Sequence, residues 1–215
     1  MTTARDLALI TLGMPTDLPV AQGDLSLALA GAEAVDLLEN GALSLDGDRM
    51  VPGPRVATGD RLLDQADASL TRREPYETVD DWLWRRGSEL AAAYVDDLER
   101  AGLVTHPRGH GFWLRSARPV LADSQARRGA EERGLSGDPV LAALLAAAGI
   151  GADPAEAYES LDADAVTTVL AAVGGAVTQL EAVRLRHDIE NAAFDNVWRG
   201  QVAAAGVRRR VSSHR

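Results

Sequence analysis

The sequence predicts a mainly helical fold carrying two short β-hairpins. Three observations point there. Ala and Leu dominate, Val is frequent and aromatics are only 4%, a mix that favours helices packed closely through small side chains. Cap-like residues recur in front of apolar-periodic runs and glycines close them. One pattern, helix, Gly, strand, turn, strand, occurs twice.

In chain order, "DLALITL" (6–12) is a first short helix or a buried strand, because seven residues are too few for periodicity to decide. Pro15 and Pro19 make a loop. "DLSLALAGAEAVDLLENG" (24–41) is a helix with Asp24 as cap, Leu25, Leu29, Ala32 and Leu37 on one face, and Gly41 as its stop. In "ALSLDGDRMVPGP", Asp46-Gly47 between alternating arms signals a hairpin. "TGDRLLDQADASL" is a helix capped by Thr58 or Asp60 and ending near Leu70. "TVDDWLWRRG" starts at a Thr78 cap before Trp82 and Leu83. "SELAAAYVDDLERAG" (88–102) is a helix capped by Ser88 and ended by Gly102.

"LVTHPRGHGFWLRSARP" is the second hairpin, with Pro107, Gly109 and Gly111 in its turn and Phe112, Trp113 and Leu114 beginning the return arm. The two copies, "LLENGALSLDGDRMV" and "LERAGLVTHPRGHGFWL", each resemble the second half of a winged helix. The remainder is helical. "PVLADSQARRGAEERG" is polar and basic, while "DPVLAALLAAAGI" (138–150) is so apolar that it must be buried on most faces. Two further runs follow, with Gly174-Gly175 as a break or a close-packing point, and "VRRRVSSHR" is a frayed basic tail. The expected organisation is one domain, 1–205, and a disordered tail, 206–215.

Composition excludes several chemistries. The 215 residues include no cysteine and no lysine. Disulfides, thiolate nucleophiles, Schiff bases and a P-loop lysine are thereby ruled out, and a reducing compartment is expected. The amino terminus lacks a signal-peptide pattern and no window is expected to span a membrane. The net charge of −10 is uneven: residues 1–100 carry −10, residues 101–133 carry +3, residues 134–204 carry −7, and the tail from 205 holds four Arg and no acid. An acidic chain with one basic island repels nucleic acid and anionic membranes at long range but allows a short-range contact.

Candidate sites are few. His106 and His110 are four apart, but Pro107, Gly109 and Gly111 forbid the helix that would bring them together, and no carboxylate lies between Thr105 and Asp123. No metal and no cofactor is expected. Asp80-Asp81 and Asp96-Asp97 are adjacent acids that point apart on a helix, and no catalytic motif is present, so no catalytic residue is expected either. Arg108, Arg115 and Arg118 would sit on the second wing, but the helix before it is acidic, so nucleic-acid binding is disfavoured. On a strand Phe112 and Trp113 face opposite sides. Either both pack, or one is exposed beside the arginines as a protein interface or a membrane contact.

The order "AGAEAVDLLENGALSL", "ATGDRLLDQADASL", "TVDDWLWRRG", then "LERAGLV" with a hairpin and a long helical remainder resembles the Golgi phosphoprotein 3 family, closest to its shorter bacterial members. The most specific part is "TGD-LLD-A" followed by a Trp-bearing "TV--WL" helix, and the likeness covers roughly residues 6–200. The resemblance implies a buried central helical bundle ringed by amphipathic helices. It implies a non-enzymatic adaptor that reads phosphatidylinositol 4-phosphate, with an apolar hairpin for membrane contact and self-association. "VTHPRGHGFWLR" falls at that hairpin.

The family's headgroup pocket uses a tryptophan and three basic residues. The corresponding positions here are Ala21, Ala30, Ser88 and Ala91, none of them a cation, whereas a phosphate monoester wants forked arginine donors. The nearest substitutes are Arg85 and Arg86, within a turn of Ser88. The resulting expectation is a cytoplasmic adaptor, peripheral on the inner face of the membrane, with the headgroup pocket lost. Anionic lipid would be met by Arg85, Arg86, Arg108 and Arg115, and the membrane or another copy of the chain by Phe112, Trp113 and Leu114 of the 104–121 hairpin; a protein partner is not named. The alternative is a soluble homo-oligomeric interaction scaffold without lipid binding.

Overall fold

The computed structural model describes residues 2–14, 20–105, 120–150 and 164–212. The chain divides into two compact units, residues 1–177 and 178–215. The elements run α1 (Thr3–Gly13), α2 (Gln22–Glu39), β1 (Leu43–Asp46), β2 (Arg49–Pro52), α3 (Arg61–Ser69), α4 (Val79–Arg86) and α5 (Leu90–Arg100), followed by β3 (Val104–Thr105), β4 (Val120–Leu121), α6 (Gln125–Leu135), α7 (Pro139–Ala147) and α8 (Asp164–Ser212). The fold is therefore mainly helical with two small antiparallel pairs, β1–β2 and β3–β4, as the sequence predicts.

α1 settles the ambiguity of "DLALITL" in favour of a helix. Its N-terminal amides are satisfied twice. The Thr2 hydroxyl accepts from Arg5 N, and the Asp36 carboxylate of α2 accepts from Thr3 N and Ala4 N at 2.8 and 3.1 Å. Those first-turn donors have no intrahelical partner, so a side chain 33 residues away completes the helix.

α2 is the centre of the first unit. From Ser26 to Leu37 every residue is buried, and α1, α3, α4, α5 and α7 all pack on it. The expected single apolar face thus understates it: Leu29, Ala32 and Leu37 are buried, but so are the residues between them. Small side chains make this possible. Gly31 lies against Val173 of α8 so closely that a Cβ there would collide with it, with Leu144 of α7 a further 3.6 Å neighbour. The helix begins at Gln22, two residues before Asp24. Ala21 stands at the cap with no side-chain hydrogen bond, and Asp24 lies in the first turn.

The two helix–glycine–strand copies repeat in their hydrogen bonds. At the end of α2, Gly41 adopts φ +69° and Ala42 N donates to Leu37 O; at the end of α5, Gly102 adopts φ +70° and Leu103 N donates to Leu98 O. This is the left-handed glycine stop. The returning chain then donates to the residue after each glycine, Gly53 N to Ala42 O and Ala122 N to Leu103 O, both at 2.8 Å. β1 and β2 pair through Asp46↔Arg49, with Gly47 (φ +60°) first of the two loop residues. β3 and β4 pair at Val104↔Leu121 and Thr105↔Val120.

The caps are mostly as the residue types require. Asp60, not Thr58, caps α3, accepting from Leu62 N and Leu63 N. Thr78 and Asp81 form a reciprocal capping box on α4. Asp138 caps α7 with Pro139 in its first turn. α5 departs from expectation. Ser88 is not its cap; Glu89 holds that position in the left-handed region (φ +58°) with no side-chain bond. Just before it, Gly87 sits where a Cβ would lie 2.6 Å from Leu83 O and 3.3 Å from Ser26 O. The chain turns sharply between α4 and α5 while touching α2, and Ser26 Oγ accepts from Ala91 N at 3.1 Å.

Two expectations about α8 are corrected. Gly174-Gly175 does not break it, and of the two a Cβ at Gly175 would meet open space. The stretch Asp164–Asn191 is also long and apolar enough to cross a membrane by length and composition, where none was expected. Val169, Leu170, Val173 and Ala176 within it are buried in the first unit's core, and 33% of its most apolar window is buried in all. In the second unit Val183, Leu185 and Ile189 are exposed.

Candidate functional site

The candidate region is the face that α1, α2, α4 and α5 share, because the positions singled out in the sequence converge there. α4 positions two of them. Its capping box fixes the start of the helix, and Trp82, fully buried, donates its indole N–H to Ala30 O at 3.0 Å. A buried indole requires such an acceptor. This bond locks α4 onto α2 and sets the directions of Arg85 and Arg86.

The two arginines diverge. Arg85 lies over the Trp82 ring, 5.2 Å from its centroid, and its guanidinium donates to both Glu77 oxygens and to Ser69 O. Arg86 turns inward. It donates to Glu33 Oε2 at 2.7 Å, to Glu33 Oε1 at 2.9 Å and to Leu62 O at 3.1 Å. Tyr94 of α5 donates its hydroxyl to the same Glu33 at 3.1 Å. Glu33 is wholly buried. Burial raises its carboxyl above the ordinary 4.5, against the hydrogen bond and charge of Arg86 and the Tyr94 hydroxyl. Tyr94 is in turn pushed well above 10 by its own burial and by the Glu33 charge. Both Glu33 oxygens are thus bound within the chain, Oε1 by Arg86 and Tyr94 and Oε2 by Arg86, as a buried ion pair requires.

Ala21, Ala30, Ser88 and Ala91, the positions singled out from the resemblance, carry no charge. Ala30 is buried with its carbonyl bound to Trp82, Ala91 is buried against Ser26, and Ala21 and Ser88 are exposed. Beside them α1, α2 and α5 enclose a cavity of about 300 Å³, with Leu29, Ala91 and Val95 among its walls. None of its lining residues is charged. Among the described residues no group of His, Asp and Glu is arranged to hold a metal.

Of the seven residues expected to carry a contact, the structure describes Arg85 and Arg86. Arg108, Arg115, Phe112, Trp113 and Leu114 lie outside the described residues. The base of their hairpin is described: Val104 is buried, and Leu121 reaches α1, its Cδ1 3.1 Å from where a Cβ on Gly13 would stand. Sequence reasoning missed Glu33, Tyr94 and the cavity. The signal available was Glu33 within the small, apolar run Ala28–Val35 of α2, where a buried carboxylate demands a partner elsewhere in the chain.

No curated protein matches the chain by sequence. The family model described as Golgi phosphoprotein 3 (GPP34) matches residues 4–213, nearly its whole length. With the helical order, the Trp82-bearing α4 and the hairpin base all in the places that the likeness requires, the chain belongs to the Golgi phosphoprotein 3 family.

Proposed function

We propose that this chain is a non-enzymatic adaptor that meets anionic membrane surfaces through its 104–121 hairpin and does not select a phosphoinositide headgroup. One observation carries the reading. Where the family's headgroup residues would stand there is no free cation among the described residues: Ala21, Ala30, Ser88 and Ala91 are neutral, and Arg85 and Arg86 are each bound to a carboxylate of the chain itself. A phosphate would have to displace Glu77 or the buried Glu33, and freeing Glu33 leaves an unpaired charge in the core. Selectivity therefore falls to surface charge and to Phe112, Trp113 and Leu114, with Arg108 and Arg115 beside them. An aromatic tip with a few arginines supplies marginal, charge-dependent affinity. The partner side is an anionic leaflet on the cytoplasmic face, with the hairpin also available for pairing between copies.

Co-sedimentation with three vesicle types tests this: neutral lipid, a bacterial anionic mixture, and that mixture with phosphatidylinositol 4-phosphate. The expected result is binding to both anionic mixtures alike, lost in Trp113→Ala. A requirement for the phosphoinositide overturns the neutral-pocket reading. Absence of binding to all three vesicle types overturns the membrane role and leaves the hairpin to protein contacts.

A further inference from the structure

The cavity between α1, α2 and α5 has a composition that specifies its occupant. Ala8 and Ala91 leave space where larger side chains would fill it, and Leu12, Val20, Leu29 and Val95 supply apolar walls. Its polar neighbours are spoken for. The Thr11 hydroxyl donates to Ala8 O at 3.0 Å, and the Tyr94 hydroxyl is bound to Glu33, so Tyr94 offers only its ring. A carboxylate or phosphate seated inside would lose its hydration with nothing to replace it. Gln22 and Ala92 are exposed and mark the opening, where the Gln22 amide can meet an uncharged polar end. Interiors are close-packed, and an apolar hollow left empty forfeits the dispersion contacts of its lining.

We propose that this cavity binds one medium-length aliphatic chain with an uncharged polar end. An apolar cavity of ~150 Å³ holds benzene, so a volume about twice that takes roughly eight to twelve carbons. Such a ligand enters between Gln22 and Ala92, lies along Leu29 and Val95, and ends at Ala8 and Ala91. The cavity shares Ala91 with the neutral positions on which the membrane reading rests, but octanol binding needs no vesicle and no hairpin, so the failure of one reading is distinguishable from the failure of the other.

Calorimetric titration of the full chain with 1-octanol tests it. The expected result is saturable binding at one molecule per chain, weakened at least about tenfold by Ala92→Trp, which blocks the opening from an exposed position. Leu12→Glu, from α1, charges the wall of the cavity and should weaken binding to a similar degree. Circular dichroism melts of both variants without ligand establish that each is folded. Octanol heats that do not saturate at one per chain, or an affinity unchanged in both folded variants, overturn the proposal.

Discussion

Replacing Arg86 by Met should cost about 3–5 kcal/mol at pH 8, and the cost should shrink as the pH falls. The side chain makes two bonds to Glu33 and one to Leu62 O. Met keeps the apolar stem and removes all three. Glu33 is then a wholly buried carboxylate with Tyr94 as its remaining partner, and breaking a buried pair from one side costs about that amount because a charge is left uncompensated. The sign of the pH dependence follows from burial. Glu33 already sits above its ordinary 4.5, and without Arg86 it rises further. A carboxyl raised in the folded state contributes stability that is present below the unfolded value and lost as pH rises through the folded one. The penalty should therefore be smallest near and below pH 4.5 and grow toward pH 8. Adding Glu33→Gln should bring the loss down to about 1–2 kcal/mol, since a neutral amide still accepts from Tyr94. Urea unfolding followed by tryptophan fluorescence at pH 5 and pH 8 measures all of this. A loss below 1 kcal/mol at pH 8, or one that is the same at both pH values, would show that Arg86 is not held by the core and is free for an external anion.

Two further outcomes are expected. Burial raises Asp36 from 3.8 to about 6, against the bonds from Thr3 N and Ala4 N, so the wild type should lose about 3 kcal/mol relative to Asp36→Asn between pH values below 3.8 and above 6; parallel denaturation curves for the two proteins check it, and a constant difference refutes it. Gly31→Ala should destabilise by about 1–3 kcal/mol through its collision with Val173, and Val173→Ala in the same chain should recover part of that loss. Additive losses in the double variant would place the strain elsewhere.

Much of the fold is legible in the residue types. Thr78 with Asp81, Asp60, Asp138 with Pro139, and the glycine stops at Gly41 and Gly102 are local devices, each acting within a few residues, and the structure uses all of them. The repeated helix–glycine–strand pattern is local for the same reason. The family order is legible too, because it rests on spacing along the chain. The positions of Ala21, Ala30, Ser88 and Ala91 as neutral residues are written in the sequence directly.

What the sequence leaves open is whatever depends on distant partners. The start of α1 is completed by Asp36, and in the first turn of α5 Ala91 N donates to Ser26 Oγ of α2, 65 residues away. The fate of Arg85 and Arg86 is the clearest case. As sequence they are two adjacent cations beside the expected pocket. Only the packing of α4 and α5 on α2 sends one to Glu77 and the other to a buried Glu33 53 residues away. The hollow between α1, α2 and α5 has the same origin, because the small side chains of Ala8 and Ala91 leave a cavity only when their helices meet. Local hydrogen bonds and turn geometry determine the elements; the cost of burying charge and the need to fill space determine what the elements do to one another, and those are settled only in three dimensions.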